Sequence, residues 1–129
     1  MSYIPDGYTE VTPYLTVVNA HGLLQFLVTV FDAQAIRKVE LPDGTLKHAA
    51  VKISGGAPVE LSEASEEWPP TPSAIHIYVP DADATHAKAV EAGAKVLMEP
   101  QDMDYGERSS AVKDPFGNCW YIATFKRGE

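Results

Sequence analysis

Cysteine occurs once, as Cys119, so the chain can form no internal disulfide and no cysteine-based zinc cluster. Basic residues are scarce: 10 Lys and Arg stand against 18 Asp and Glu, a net charge of −8. A surface of that sign lacks the cationic footprint that nucleic-acid phosphates require, so nucleic acid is excluded as a partner. No basic residue precedes Arg37, which leaves the start without the cationic head of a secretory signal and makes the cytoplasm the expected location. Long apolar runs are missing as well. The most apolar stretch, Leu23 to Phe31, is interrupted by Gln25 and Thr29 and falls well short of the roughly 20 residues that cross a bilayer. No membrane partner is therefore expected. What remains is a chain of 129 residues, enough to bury a core of its own as one domain over 1–129.

The pattern along that chain restarts halfway. Val11 to Val18 alternates and is β-branched, which predicts a strand, and Asn19 is placed to cap a helix from Ala20 to Phe31. Arg37 to Leu41 and Leu46 to Ile53 flank Asp43-Gly44, a hairpin signal. Gly55-Gly56 then turns the chain into a strand over Pro58 to Ser62. A linker follows over 63–73, where Trp68-Pro69-Pro70-Thr71-Pro72 cannot join a sheet ladder. Beyond it come a strand from Ala74 to Val79, a helix capped by Asp81 or Asp83 and ended by Gly93, and three more strands. These last are Lys95 to Met98, Arg108 to Lys113 and Cys119 to Phe125. Both halves read β-α-β-β-β, module one at about 11–62 and module two at about 74–125. Gly44 and Gly106 lie 62 residues apart, while Gly56 and Gly117, like Glu60 and Tyr121, lie 61 apart. Turn glycines recurring at one offset between matching strands point to an internal duplication.

Alternation sorts the strands into two faces. Val11, Leu15, Val17, Val59, Leu61, Ile75, Ile77, Val79, Trp120 and Ile122 make an apolar face for the two helices to cover. With Glu60 fall Thr12, Tyr14, Thr16, Ala74, His76, Tyr78, Cys119, Tyr121 and Ala123, a polar and aromatic face of the kind that lines a ligand site. Glu60 with His76 is the candidate acid/base pair, since a carboxylate can orient an imidazole and raise its basicity. The alternative is a half-solvated Glu60, with His76 bonded to Tyr78 or to a neighbouring strand. Thr12, Tyr14, His48, Tyr78 and Tyr121 are candidate ligand contacts, and Arg108 is a candidate anion holder or else a surface ion pair with Glu107 or Asp104. His21, His86 and Cys119 read as structural. Glu60, Glu63, Glu66 and Glu67 lead into Trp68, either a carboxylate-and-aromatic rim for a cation or a solvated acidic linker.

Several pieces of local wording resemble the vicinal oxygen chelate superfamily of glyoxalases, bleomycin-resistance proteins and extradiol dioxygenases, and in particular its PhnB-like branch. They are Thr12-Pro13-Tyr14-Leu15, Phe26 to Phe31, His48-Ala49, His76-Ile77-Tyr78-Val79, Tyr105-Gly106-Glu107-Arg108 and Asp114-Pro115-Phe116-Gly117-Asn118. The resemblance implies an α+β fold in which two βαβββ modules form a U-shaped, cup-like mixed sheet that holds a small molecule. In metal-dependent members, four ligands sit at positions that align here with Thr12, Glu60, Ala74 and Tyr121. Only Glu60 is a usual ligand type, so no tightly held metal is expected there. A set built from Glu60, His76 and His48 is the minority possibility. Three functions stay open: a metal-independent enzyme binding a small molecule, a non-catalytic dimer that sequesters an antibiotic or similar ligand, and a metal-dependent lyase or isomerase using Glu60 and His76. A homodimer is expected on a separate ground. Ala20, Leu23, Leu24, Phe26, Leu27, Val28, Val30 and Phe31 cover more of the first helix than one sheet face needs.

Overall fold

Each half of the sequence builds a four-stranded mixed sheet with one helix packed on it. The computed structural model describes residues 2–54 and 56–126. The first half runs β1 (Tyr14–Val17), α1 (Ala20–Phe31), β2 (Ala33–Glu40), β3 (Leu46–Ile53) and β4 (Pro58–Glu63). The second runs β5 (Ala74–Tyr78), α2 (Ala82–Glu91), β6 (Lys95–Asp102), β7 (Glu107–Lys113) and β8 (Cys119–Phe125). Strand order is β1-β4-β3-β2 in one sheet and β5-β8-β7-β6 in the other. In both, the first and last strands of the module run parallel and the other pairs are antiparallel. The expected α+β fold of two βαβββ modules is what forms. The chain divides into two compact units between Thr71 and Pro72.

The duplication is written into the ladders. On β2, Ala35 opposes Val51 but Arg37 opposes Ala50, which leaves Ile36 as an extra, bulged residue. On β6, Val96 opposes Val112 but Met98 opposes Ala111, which leaves Leu97 in the same state. Every one of these positions recurs 61 residues on. The glycine evidence is half right. Gly44 and Gly106 both turn at positive φ (91° and 89°), a conformation open to glycine at no steric cost. Gly117 does so too, at 100°, but its expected counterpart Gly56 does not, and Ser54 takes positive φ in that turn instead. Gly55 lies outside the described residues.

Strand β2 begins at Ala33, four residues before the expected Arg37, and among the other boundaries that differ from expectation three have a local reason. The first strand starts at Tyr14, not Val11, and Val11 is exposed instead of joining the core face. Side chains take the backbone groups there: Thr9 donates its hydroxyl to Val11 O and Thr12 to Thr9 O, and Pro13 has no N–H to offer a ladder. Glu63 belongs to β4, not to the linker, and Thr71 N donates to Thr16 O at 3.0 Å, so the linker is shorter at both ends. Strand β6 runs on through Pro100 to Asp102, which an edge strand tolerates.

The helix caps fit their sequences. Asn19 accepts from Gly22 N and Asp81, not Asp83, accepts from Ala84 N. Leu15, Val17, Leu61 and Val51 meet Leu23, Leu27 and Val30 in one core, and Trp120, Ile122 and Val112 anchor the other. The wide apolar stripe of α1 is buried in a single copy of the chain, with Val28 alone of those residues left exposed. The surplus apolar surface from which a partner on α1 was inferred is therefore absent.

Candidate functional site

In each unit the helix covers one sheet face, and the other face carries the polar and aromatic side chains. On the first unit, Tyr14 stands directly opposite Glu60 across the β1–β4 ladder. Glu60 Oε1 lies 2.8 Å from His48 Nε2, and the Tyr14 and His48 rings are 5.9 Å apart. Both members of this pair are about one-fifth to one-quarter exposed, so solvent or a ligand can reach them.

A cavity of about 790 Å³ opens beside Tyr14. Tyr14 and Trp68 supply its aromatic walls and Leu41 an apolar patch. Hydroxyls of Thr16, Thr45, Ser62, Ser65 and Thr71 supply hydrogen-bonding groups. Trp68 is presented by a closed loop: Ser65 N donates to Trp68 O at 2.8 Å, and Trp68 N donates to Ser65 Oγ at 3.0 Å. Lys47 lines the cavity because of a second bulge. Val39 opposes His48 while Glu40 opposes Leu46, so Lys47 is the extra residue, and Leu46 turns fully into the core. Glu63 also borders the cavity, but its two oxygens accept the backbone N–H groups of Asn19 (2.9 Å) and Ala20 (2.8 Å) at the start of α1.

On the second unit, His76 stands opposite Tyr121 and its ring stacks near it, centroids 6.5 Å apart at 23°. The partner of His76 is Glu107, a residue that sequence reasoning had treated only as an ion-pair partner for Arg108. Glu107 Oε2 lies 3.3 Å from His76 Nε2, and Tyr78 donates its hydroxyl to Oε1 at 3.0 Å. The Glu107 side chain is only 5% exposed beneath these two. The hydrogen bond to Glu107, with some burial and the carboxylate charge, pushes the Tyr78 phenol above its ordinary range. A hydrogen bond with Cys119 does the same to Tyr121.

The candidate residues therefore find partners other than those expected. Glu60 and His76, read as a pair, each find a partner within their own unit: His48 for Glu60 and Glu107 for His76. Thr12 precedes β1 and spends its hydroxyl on Thr9 O. Arg108 is not an anion holder on the open face. It lies on the helix-covered side of β7, where its guanidinium makes a two-bond fork with Asp83 (2.9 and 3.0 Å) and approaches Asp102 at 3.6 Å. The ion pair read as its alternative exists, with these partners instead of Glu107 or Asp104. His86 is a buried structural histidine between Ser110 and Glu99. Of the four positions aligned with metal ligands, Ala74 has no donor, Thr12 offers a committed hydroxyl and Tyr121 a phenol held protonated. Among the described residues no three His, Cys, Asp or Glu side chains gather as a metal ion would need. What sequence reasoning missed is Glu107 and Lys47. Ladder register could have indicated Glu107, which alternates with Ser109 and Ala111 opposite Tyr121, but only coordinates reveal the bulge at Lys47.

The family model of the glyoxalase/bleomycin resistance protein/dioxygenase superfamily matches residues 9–122. An uncharacterised protein of Mycobacterium bovis is 36% identical over 122 residues, covering 86% of this chain and 80% of its own length. CFP32 of Mycobacterium bovis, whose name carries a provisional glyoxylase assignment, is 34% identical over 120 residues; the match spans 83% of this chain and 46% of that protein. Among solved structures, TioX from Micromonospora sp. ML1 aligns with a TM-score of 0.76 at 23% identity, over 91% of this chain and 98% of that one. The PhnB protein of Bacillus cereus aligns with a TM-score of 0.74 at 15% identity, over 90% and 99%. At such identities the structures speak for the fold.

Proposed function

Because the chain belongs to the glyoxalase/bleomycin resistance protein/dioxygenase superfamily, we propose that it binds a small organic molecule on the open face of its first unit, between Tyr14 and Trp68, without a tightly held metal. The observation that carries this reading is the cavity of about 790 Å³, of a size that holds drug-like ligands, with aromatic walls and a set of hydroxyls. Trp68 is 69% exposed and its indole is available to stack on a planar ligand. Among the described residues no helix is long and apolar enough to cross a membrane.

A second reading, proton transfer on the bound molecule, is favoured by one contact. The 2.8 Å His48–Glu60 bond adjoins Tyr14, which itself lines the cavity. With Nε2 held by Glu60, the imidazole keeps one tautomer, and Nδ1 is left to take or return a proton. Glu60 would stabilise the imidazolium formed on the way.

Ligand-observed NMR with small neutral aromatic fragments, 2-naphthamide among them, tests the binding. Signal transfer to the fragments is expected in the wild type and should weaken severalfold in Trp68→Ala. The thermal midpoint should not move, because the indole is exposed. Binding that Trp68→Ala leaves unchanged refutes the cavity reading. Incubation of a bound fragment that carries a C–H next to a carbonyl separates the two functions: a sequestering protein returns it unaltered, while a proton-transfer catalyst exchanges that C–H with solvent deuterium and loses the ability in Glu60→Gln.

A further inference from the structure

We infer that the ligand of the first-unit cavity is an organic anion, a planar apolar body carrying a carboxylate or comparable group, held by Lys47 opposite the Tyr14–Trp68 walls. The inference rests on the binding reading above and adds the charge of the ligand. Two charged residues border the cavity, Lys47 and Glu63. They are not equivalent. Both oxygens of Glu63 are engaged, by the amides of the N-cap Asn19 and of Ala20, the first residue of α1, at the positive end of the helix dipole, so that its charge is compensated where it stands. Lys47 has no ion pair and no side-chain hydrogen bond among the described residues. The polar residues that line the cavity besides these two carry hydroxyls, which can solvate a carboxylate but cannot neutralise an ammonium.

The backbone bears out the same choice. A bulge sets Lys47 on the cavity side while Leu46 fills the core, so Lys47 lines the cavity as a consequence of the β2–β3 register. Glu66 and Glu67 are exposed in the segment before Trp68 and are not among the lining residues. Glu60 is held by His48. The acidic run that a sequence reader would match with a cation therefore contributes no unpaired carboxylate to the cavity wall. The one uncompensated charge there is positive, on a chain whose net charge is −8.

Three isosteric probes decide it: 2-naphthoate, 2-naphthamide and 2-(aminomethyl)naphthalene, each titrated by calorimetry into the wild type, Lys47→Gln, Lys47→Arg and Trp68→Ala. The wild type should bind the carboxylate roughly tenfold more tightly than the amide, as one charge-assisted hydrogen bond gives. The ammonium probe should bind most weakly. Lys47→Gln should bring carboxylate and amide to within about twofold of each other, and Lys47→Arg should keep the preference. The preference should shrink as salt is raised. Trp68→Ala should weaken all three alike. Equal binding of carboxylate and amide, or tighter binding of the ammonium probe, overturns the inference and leaves the binding reading intact. Absence of binding by every probe, or indifference of all of them to Trp68→Ala, overturns both.

Discussion

Asp114→Asn tests how the turn before β8 holds the second unit's open face in register. Asp114 is buried, and its carboxylate accepts four hydrogen bonds. Oδ1 takes Phe116 N at 2.8 Å and Asn118 N at 3.0 Å, while Oδ2 takes Asn118 Nδ2 at 3.0 Å and Trp120 Nε1 at 2.9 Å. Asparagine has the same shape but one acceptor oxygen, so in either orientation its NH₂ faces two donors that need an acceptor. Two hydrogen bonds to a charged group are lost and two buried donors are left unpaired, a cost of about 3–5 kcal/mol. That is a large share of the roughly 5–15 kcal/mol that holds a domain of this size together. Urea unfolding, followed by the fluorescence of buried Trp120 in a Trp68→Phe background, should show the midpoint fall by about 2 M at unchanged slope. The effect reaches the candidate site. Asn118 Oδ1 accepts Ser73 N at 3.2 Å and Cys119 N donates to Ser73 O at 2.8 Å, which sets β5 beside β8 and His76 opposite Tyr121. A midpoint shift under about 0.5 M would refute the reasoning, since it would mean that the four bonds contribute no more than an exposed pair.

Two further outcomes follow from the same geometry. Glu63→Gln should cost about 1 kcal/mol in urea unfolding, because one of the Asn19 and Ala20 amides loses a charged acceptor at the helix start; a change within a few tenths would show that the cap is dispensable. Arg108 holds the Asp83 carboxyl, and Lys126 the Asp102 carboxyl, below the ordinary carboxylate range. A folded pKa below the unfolded one stabilises at pH above the unfolded value of about 4 and is lost as pH falls through the folded value. The thermal midpoint of the wild type should therefore drop below about pH 4 more steeply than that of Arg108→Met, and parallel curves would refute the assignment.

The fold was legible because its signals are periodic and redundant. The alternation of Leu15 and Val17 against Tyr14 and Thr16 sorts the faces, and the caps at Asn19 and Asp81 mark both helix starts. The boundaries that failed depend on interactions with no period. The Thr9–Thr12 turn takes hydroxyl bonds over strand geometry, and the wide stripe of α1 found enough of its own chain to bury it. The site was legible only in part. Parity puts Glu60 with Tyr14 and His76 with Tyr121, and the ladders agree. Parity says nothing about which histidine meets which carboxylate, since that depends on diagonal distances between strands. So Glu60 was matched with His76, where His48 and Glu107 are the partners found.

The two open faces carry the same pair of chemistries at positions that the duplication does not relate. Glu60 and Tyr121 occupy matching places in their ladders, as do Tyr14 and His76. Glu107, by contrast, lies 61 residues after Leu46, and Leu46 is a fully buried core residue. A single extra residue explains the divergence. The bulge on β3 at Lys47 reverses the alternation before His48, sending Leu46 inward and Lys47 to the cavity. In the counterpart β6–β7 ladder the extra residue falls on β6, between Met98 and Gln101, so alternation on β7 continues unbroken from Ala111 through Ser109 to Glu107, which stays on the open face beneath His76 and Tyr78. One backbone insertion thus gives the first unit a cation beside an aromatic cavity and leaves the second a buried carboxylate beneath a histidine and a tyrosine. The fold is repeated, and the placement of its histidine–carboxylate pair is not.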